Sequence, residues 1–181
     1  RRHTRSDRDW SSDVCSSDLL PTLRAAMITG SAAKGLSDRY SDIDLTMYYA
    51  DELPSEAELT AIREELGGSD RRWVIGNREE GSFAAAYGLN GIEVQIGHTL
   101  ISKWEETIDF VQRAEDVSIP AQKAMEGTLA SKSLYGDEYM ERWKEKISVF
   151  PDELAKAMVE KNLTFFAVWG LEPHFRTRDA Q

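Results

Sequence analysis

One short stretch concentrates the residue types that handle phosphate: Thr29-Gly30-Ser31-Ala32-Ala33-Lys34, then, after a loop, Ser41-Asp42-Ile43-Asp44-Leu45. An apolar run, Ala25-Ala26-Met27-Ile28, leads into Gly-Ser, where a helix is expected to begin. The first N–H groups of a helix have no partner within it and sit at its positive end, so such a turn receives phosphate. Gly30 lets the backbone come close to a ligand, and the Ser31 hydroxyl adds a donor. Lys34 reaches a phosphate from the same turn, although an exposed lysine more commonly only solubilises. Asp42 and Asp44 stand at i and i+2 on an alternating segment, which puts both carboxylates on one side of a strand. Adjacent like charges repel, and a divalent cation makes the pair favourable. Hard oxygen ligands suit Mg²⁺, which completes its shell with water and substrate phosphates. A phosphate cradle beside a carboxylate pair reads as metal-dependent phosphoryl or nucleotidyl transfer.

The elements that must position these groups follow from periodicity. Strands are expected at Ala25 to Thr29, at Ile43 to Tyr48, and at Arg71 to Ile75, Ser82 to Tyr87 and Ile92 to Ile96, the last two joined by a Gly-Leu-Asn-Gly turn. Between them, Pro54 to Leu66 reads as a helix capped by Ser55 and closed by Gly67-Gly68. From Ile101 the pattern turns helical. Trp104, Ile108, Phe110 and Val111 form one stripe, Ala121 to Leu134 another, Tyr139 to Ile147 a third, and Pro151-Asp152-Glu153 opens a last helix through Phe166 and beyond. The expected fold is α+β (α/β-like), a mixed-sheet domain over residues 20–100 followed by a helical bundle over 101–181. The closing stretch Arg176 to Gln181 has the look of a truncation.

The strand, Gly-Ser, spacer and Asp-x-Asp flanked by apolar residues together resemble the signature of the polymerase-β-type nucleotidyltransferase superfamily, and among its members the small antibiotic nucleotidyltransferases that adenylylate aminoglycosides or lincosamides. The likeness covers Leu20 to Leu100 and extends more loosely into the helical half. It implies a Mg²⁺-dependent transfer of AMP, or another nucleoside monophosphate, from a nucleoside triphosphate to a hydroxyl of a small, cationic acceptor. Gly30, Ser31, Lys34 and Ser41 would hold the triphosphate, and Asp42 and Asp44 the metal. The family also uses a third carboxylate on a later strand, and Glu93 in Gly91-Ile92-Glu93-Val94-Gln95-Ile96 fills that place as metal ligand or as general base; its competing reading is a solvated strand face. Many relatives carry Asp there.

Weaker candidates are Arg39 at the triphosphate, Ser37 and Ser41 as residues that orient the loop through local bonds, and His98, read as structural. His174 is uninformative, and Trp104, Trp143 and Trp169 read as core. Glu105-Glu106 and Glu115-Asp116 read as solvated faces, with contact to a cationic acceptor as the alternative.

Composition bounds these readings. The chain has 181 residues, 22 basic against 32 acidic, and a net charge of −10, with 41 % apolar and 30 % charged residues. That is an ordinary globular composition. The negative charge argues against a phosphate-backbone binder, and hence against template-directed and tRNA-end-adding relatives. No apolar run is long enough to span a bilayer, and a cytoplasmic location is expected. A single cysteine excludes an internal disulfide or a thiolate metal cage. Arg1 to Leu19 carries no apolar segment, and it resembles the translation of an index adapter from a short-read sequencing library. Setting it aside removes four basic and four acidic residues, together with His3, Trp10 and Cys15, and leaves the charge at −10. Two other functions remain open: a minimal nucleotidyltransferase antitoxin acting on a partner toxin, against which the helices after Leu100 argue, and a nucleotide-binding remnant without activity.

Overall fold

The computed structural model describes residues 20–165. The expectations for residues 1–19, Trp169, His174 and any helix beyond 165 lie outside the described residues. Within them the protein is α+β, as expected, with a six-stranded mixed sheet and six α-helices. The strands are β1 (Leu23–Ile28), β2 (Ile43–Tyr49), β3 (Trp73–Asn77), β4 (Ser82–Leu89), β5 (Ile92–Leu100) and β6 (Lys132–Tyr135), in spatial order β3-β4-β5-β2-β1-β6. All pairs are antiparallel except β2 with β5. The helices are α1 (Gly30–Lys34), α2 (Glu56–Glu65), α3 (Ile101–Gln112), α4 (Ile119–Ala130), α5 (Asp137–Ser148) and α6 (Asp152–Phe165).

Several elements start and stop for legible reasons. Ser55 accepts the Glu58 N–H while the Glu58 carboxylate accepts the Ser55 N–H, a capping box that sets the start of α2. Asn90 and Gly91 both have positive φ, 51° and 83°, as a two-residue type I′ hairpin turn requires. That turn fixes Leu89 opposite Ile92, and with it the register of the whole β4–β5 hairpin.

The continuous helical reading of 121–134 is corrected. α4 ends at Ala130, and Lys132 to Tyr135 adds a strand to the free edge of β1. Four residues with apolar neighbours on the helical side carry too little periodicity to announce a strand, and the open edge of β1 decides it.

The chain divides into two compact units, with boundaries after Lys103, Leu129 and Glu141. The first holds the entire sheet, α1 and α2, so β6 belongs with the strands despite lying among helices in sequence. In the sheet unit, β2 and β5 run side by side with Ile43 level with Val94, Asp44 with Gln95 and Leu45 with Ile96. Residues level with one another share a face. Asp44 and Gln95 therefore share one face, and Leu45, Met47, Ile96 and His98 the other. In the second unit Trp104 and Trp143 are buried and meet edge to face, centroids 6.4 Å apart, so their reading as core holds. Phe110 departs from the α3 stripe: it is exposed, under the Arg113 guanidinium, while Trp104, Ile108 and Val111 are buried.

Candidate active site

Asp42 and Asp44 end the loop and open β2, and both are half-buried. Burial raises the Asp44 carboxyl above its ordinary value, and the charge of Asp42 raises it further. The two carboxylates thus feel each other, as the i, i+2 spacing requires. On the neighbouring strand, the Gln95 side-chain amide donates to Asp42 Oδ2 (2.6 Å) and to Glu93 Oε1 (3.1 Å). A neutral amide therefore bridges two of the three carboxylates named from the sequence. Glu93 turns its other oxygen to the Arg72 guanidinium at 2.7 Å. That hydrogen bond holds its carboxyl below the usual glutamate range, and the bonds from Gln95 and Trp73 lower it further.

Gly30 explains how Asp44 is seated. Its φ is +62°, and a Cβ placed on it would lie 2.0 Å from Asp44 Oδ2. The carboxylate occupies the space that any side chain at position 30 would need. The Thr29 N–H also donates to the Asp44 carbonyl (2.9 Å), so the strand-to-helix turn is tied directly to β2.

α1 is a single short turn, so the dipole contribution expected from a longer helix is small. What remains are its first amides, to which Thr29 contributes no side-chain cap, and the Ser31 hydroxyl, 3.4 Å from that of Ser37. Lys34 closes the turn before Gly35. Ser41 is engaged within the loop: its hydroxyl accepts the Asp38 N–H (3.0 Å) and donates to Asp38 Oδ1 (3.1 Å). These are the local bonds expected of a residue that orients the loop. The N–H of Tyr40 and the hydroxyl of Ser41 hold the Asp38 carboxyl below its usual range. Arg39 lies over the exposed Tyr40 ring, 4.6 Å from its centroid.

The remaining candidates are occupied elsewhere. His98 is buried, stacked on Phe83 and bonded through Nδ1 to the Tyr49 hydroxyl at 2.8 Å, on the sheet face opposite Asp44. Glu105 accepts bonds from Arg142 and from Trp143 Nε1 (3.0 Å). Glu115 pairs with Arg113 (2.7 Å), and Asp116 accepts the Ser118 N–H (2.8 Å). These three carboxylates serve the helical unit itself.

Among the described residues no group of three His, Cys, Asp or Glu side chains is placed to hold a metal ion. Asp42, Asp44 and Glu93 do not form one because Gln95 stands between and Arg72 draws Glu93 aside. Asp42 and Asp44 alone fit a hard divalent cation that takes the rest of its shell from water and phosphate, since Mg²⁺ is ordinarily bound by one or two carboxylates. Gln95 is a site residue that the sequence does not announce: its i+2 spacing from Glu93 puts the two on one face of β5, and only the pairing of β5 with β2 brings it to Asp42. Among the described residues no helix is long and apolar enough to cross a membrane. The chain matches no family model and no curated protein.

Proposed function

We propose that the chain is a nucleotidyltransferase of the polymerase-β type, moving a nucleoside monophosphate, AMP foremost, from a nucleoside triphosphate to a hydroxyl of a small cationic acceptor such as an aminoglycoside or lincosamide. The observation that carries this reading is the seating of the Asp44 carboxylate against Gly30, beside Asp42, at the turn that leads into Ser31. Asp42 and Asp44 would hold Mg²⁺, which when bound neutralises charge on the phosphate oxygens. Gly30, with no side chain, lets the Asp44 carboxylate seat against the turn, and the turn's amides and the Ser31 hydroxyl donate to the triphosphate. Lys34 offers a further cation from the same turn.

In the reaction the acceptor oxygen bonds to the α-phosphorus, and the bond from that phosphorus to the α–β bridging oxygen breaks. Pyrophosphate leaves with the electron pair. Glu93 is the carboxylate on this face that receives the acceptor proton. Gln95 holds Glu93 and Asp42 at a fixed spacing, and Arg72 orients the Glu93 carboxylate. The net charge of −10 favours a cationic acceptor over a nucleic acid. A second reading, a nucleotide-binding remnant, is favoured by the lack of a three-carboxylate group among the described residues. Transfer of label from α-labelled ATP to a panel of aminoglycosides and lincosamides, with pyrophosphate release followed in parallel, separates the two. Label on an acceptor supports the transferase, and binding without either product supports the remnant.

A further inference from the structure

α6 turns one face inward and leaves a second apolar face bare. Leu154 is 1 % exposed and Met158 is half-buried, but every residue from Val159 to Thr164 is exposed. Ala155, Val159 and Leu163, four apart, make one stripe along the helix, with Val159 57 % and Leu163 63 % exposed. The stripe lines a groove of about 400 Å³, which Phe150, just ahead of the helix, lines as well. Asn162 also faces this groove, and its amide donates to the Met158 carbonyl at 2.8 Å, so it asks nothing of a partner. Helices of this length draw their stability from a covered apolar face, and here part of that face is uncovered.

The charges beside the stripe indicate what covers it. Lys156 and Glu160 flank it on one side, 3.9 Å apart, with both side chains largely exposed. They stand two residues before and two after Met158. A second α6 laid antiparallel about the level of Met158 therefore brings Lys156 level with the partner's Glu160, and Glu160 level with the partner's Lys156. In that register Val159 falls midway between the levels of the partner's Ala155 and the partner's Val159, the spacing that lets side chains interdigitate. The two helix dipoles also run in opposite directions. The stripe and its flanking charges are complementary to themselves.

We propose that α6 is the contact between two copies of this chain, packed antiparallel about a two-fold axis at Met158. α6 has 14 residues and is about 21 Å long. A single helix pair of that length covers less than the roughly 1,200 Å² of a standard interface, so the association is weak and depends on concentration. The contact uses no residue assigned to the transfer reaction, so it stands or falls apart from that reading.

The test is sedimentation velocity of the full chain from about 5 to 500 µM, the range in which weak pairing is read. The expected result is a reversible shift from the mass of one chain to that of two. Val159→Glu sets an unpaired carboxylate in the contact and should weaken association at least about tenfold. The position is exposed in the single copy, so the fold should be kept, which far-UV circular dichroism checks. Lys156→Glu alone and Glu160→Lys alone each set like charges across the contact and should weaken it about threefold to tenfold. Mixed in equal amounts, these two variants should associate with each other about as tightly as wild type does with itself, because each meets the opposite charge on the other. Both lose the Lys156–Glu160 pair within the helix, so recovery in the mixture reports the contact between copies alone. A monomer at the highest concentration, unchanged association in Val159→Glu, or a mixture no tighter than its components would each overturn the proposal.

Discussion

Gly30 and Asp44 occupy complementary space: the Asp44 carboxylate lies where a Cβ on Gly30 would have to be, 2.0 Å away from it, and Gly30 itself holds a φ of +62°. A methyl group there strains the backbone and displaces the carboxylate together. Gly30→Ala is therefore expected to lower stability by about 2 kcal/mol or more, within the range for strain at a special backbone position. Urea unfolding checks it, with a lower midpoint at unchanged slope.

Glu93→Gln tests the proton-accepting role. The expected outcome is a fall in kcat of about 10²- to 10⁴-fold, the usual contribution of general acid–base catalysis, with ATP affinity little changed. Arg72→Ala should move the acidic limb of the pH–rate profile upward, because the bond that lowers the Glu93 pKa is removed. A Glu93→Gln enzyme rescued by excess Mg²⁺ would instead make Glu93 a metal ligand.

His98 gives the stability a pH dependence of known sign. Its pKa is about 4 in the folded protein against an ordinary 6.5, so between those values the unfolded chain binds more protons. Stability is fully present above pH 6.5 and falls as the pH drops toward 4, by up to about 3 kcal/mol from this residue. Chemical denaturation of wild type and His98→Gln across pH 4 to 7 reads it out as a shallower dependence in the variant.

Gly91 isolates backbone strain from packing. Its φ is +83°, and a Cβ there meets nothing within 4 Å. Gly91→Ala should cost about 1 kcal/mol through the turn alone. A much larger loss by thermal melting would mean that the β4–β5 hairpin depends on that turn for its register.

The legible parts of this fold were those fixed by neighbours in sequence. Ser55 and Gly67-Gly68 announced α2, and the Gly-Leu-Asn-Gly turn announced a hairpin. β2 was visible in its alternation, which also put Asp42 and Asp44 on one side. Pairing between distant strands was not legible. Nothing in the sequence says that Asp44 lies level with Gln95, and so nothing said that Gln95 would bridge Asp42 and Glu93. β3 fell at Trp73–Asn77 rather than Arg71 to Ile75, because its extent is set by pairing with Ser82 to Ala86 of β4, which local sequence does not reveal. β6 was hidden for the same kind of reason, since only the open edge of β1 makes Lys132 to Tyr135 a strand.

The central claim is that Asp42 and Asp44 make nucleotide binding depend on a divalent cation. The direct measurement is calorimetric titration of ATP into wild type, Asp42→Asn and Asp44→Asn, each with and without Mg²⁺, with a thermal melt of each metal-free protein alongside. The account predicts Mg²⁺-dependent binding in the wild type only. It also predicts that Asp44→Asn melts at the same temperature as wild type or higher, because the substitution removes a charge that burial and Asp42 both disfavour. Mg²⁺-dependent ATP binding of wild-type strength in either variant, or ATP binding by the wild type that ignores Mg²⁺, would contradict it.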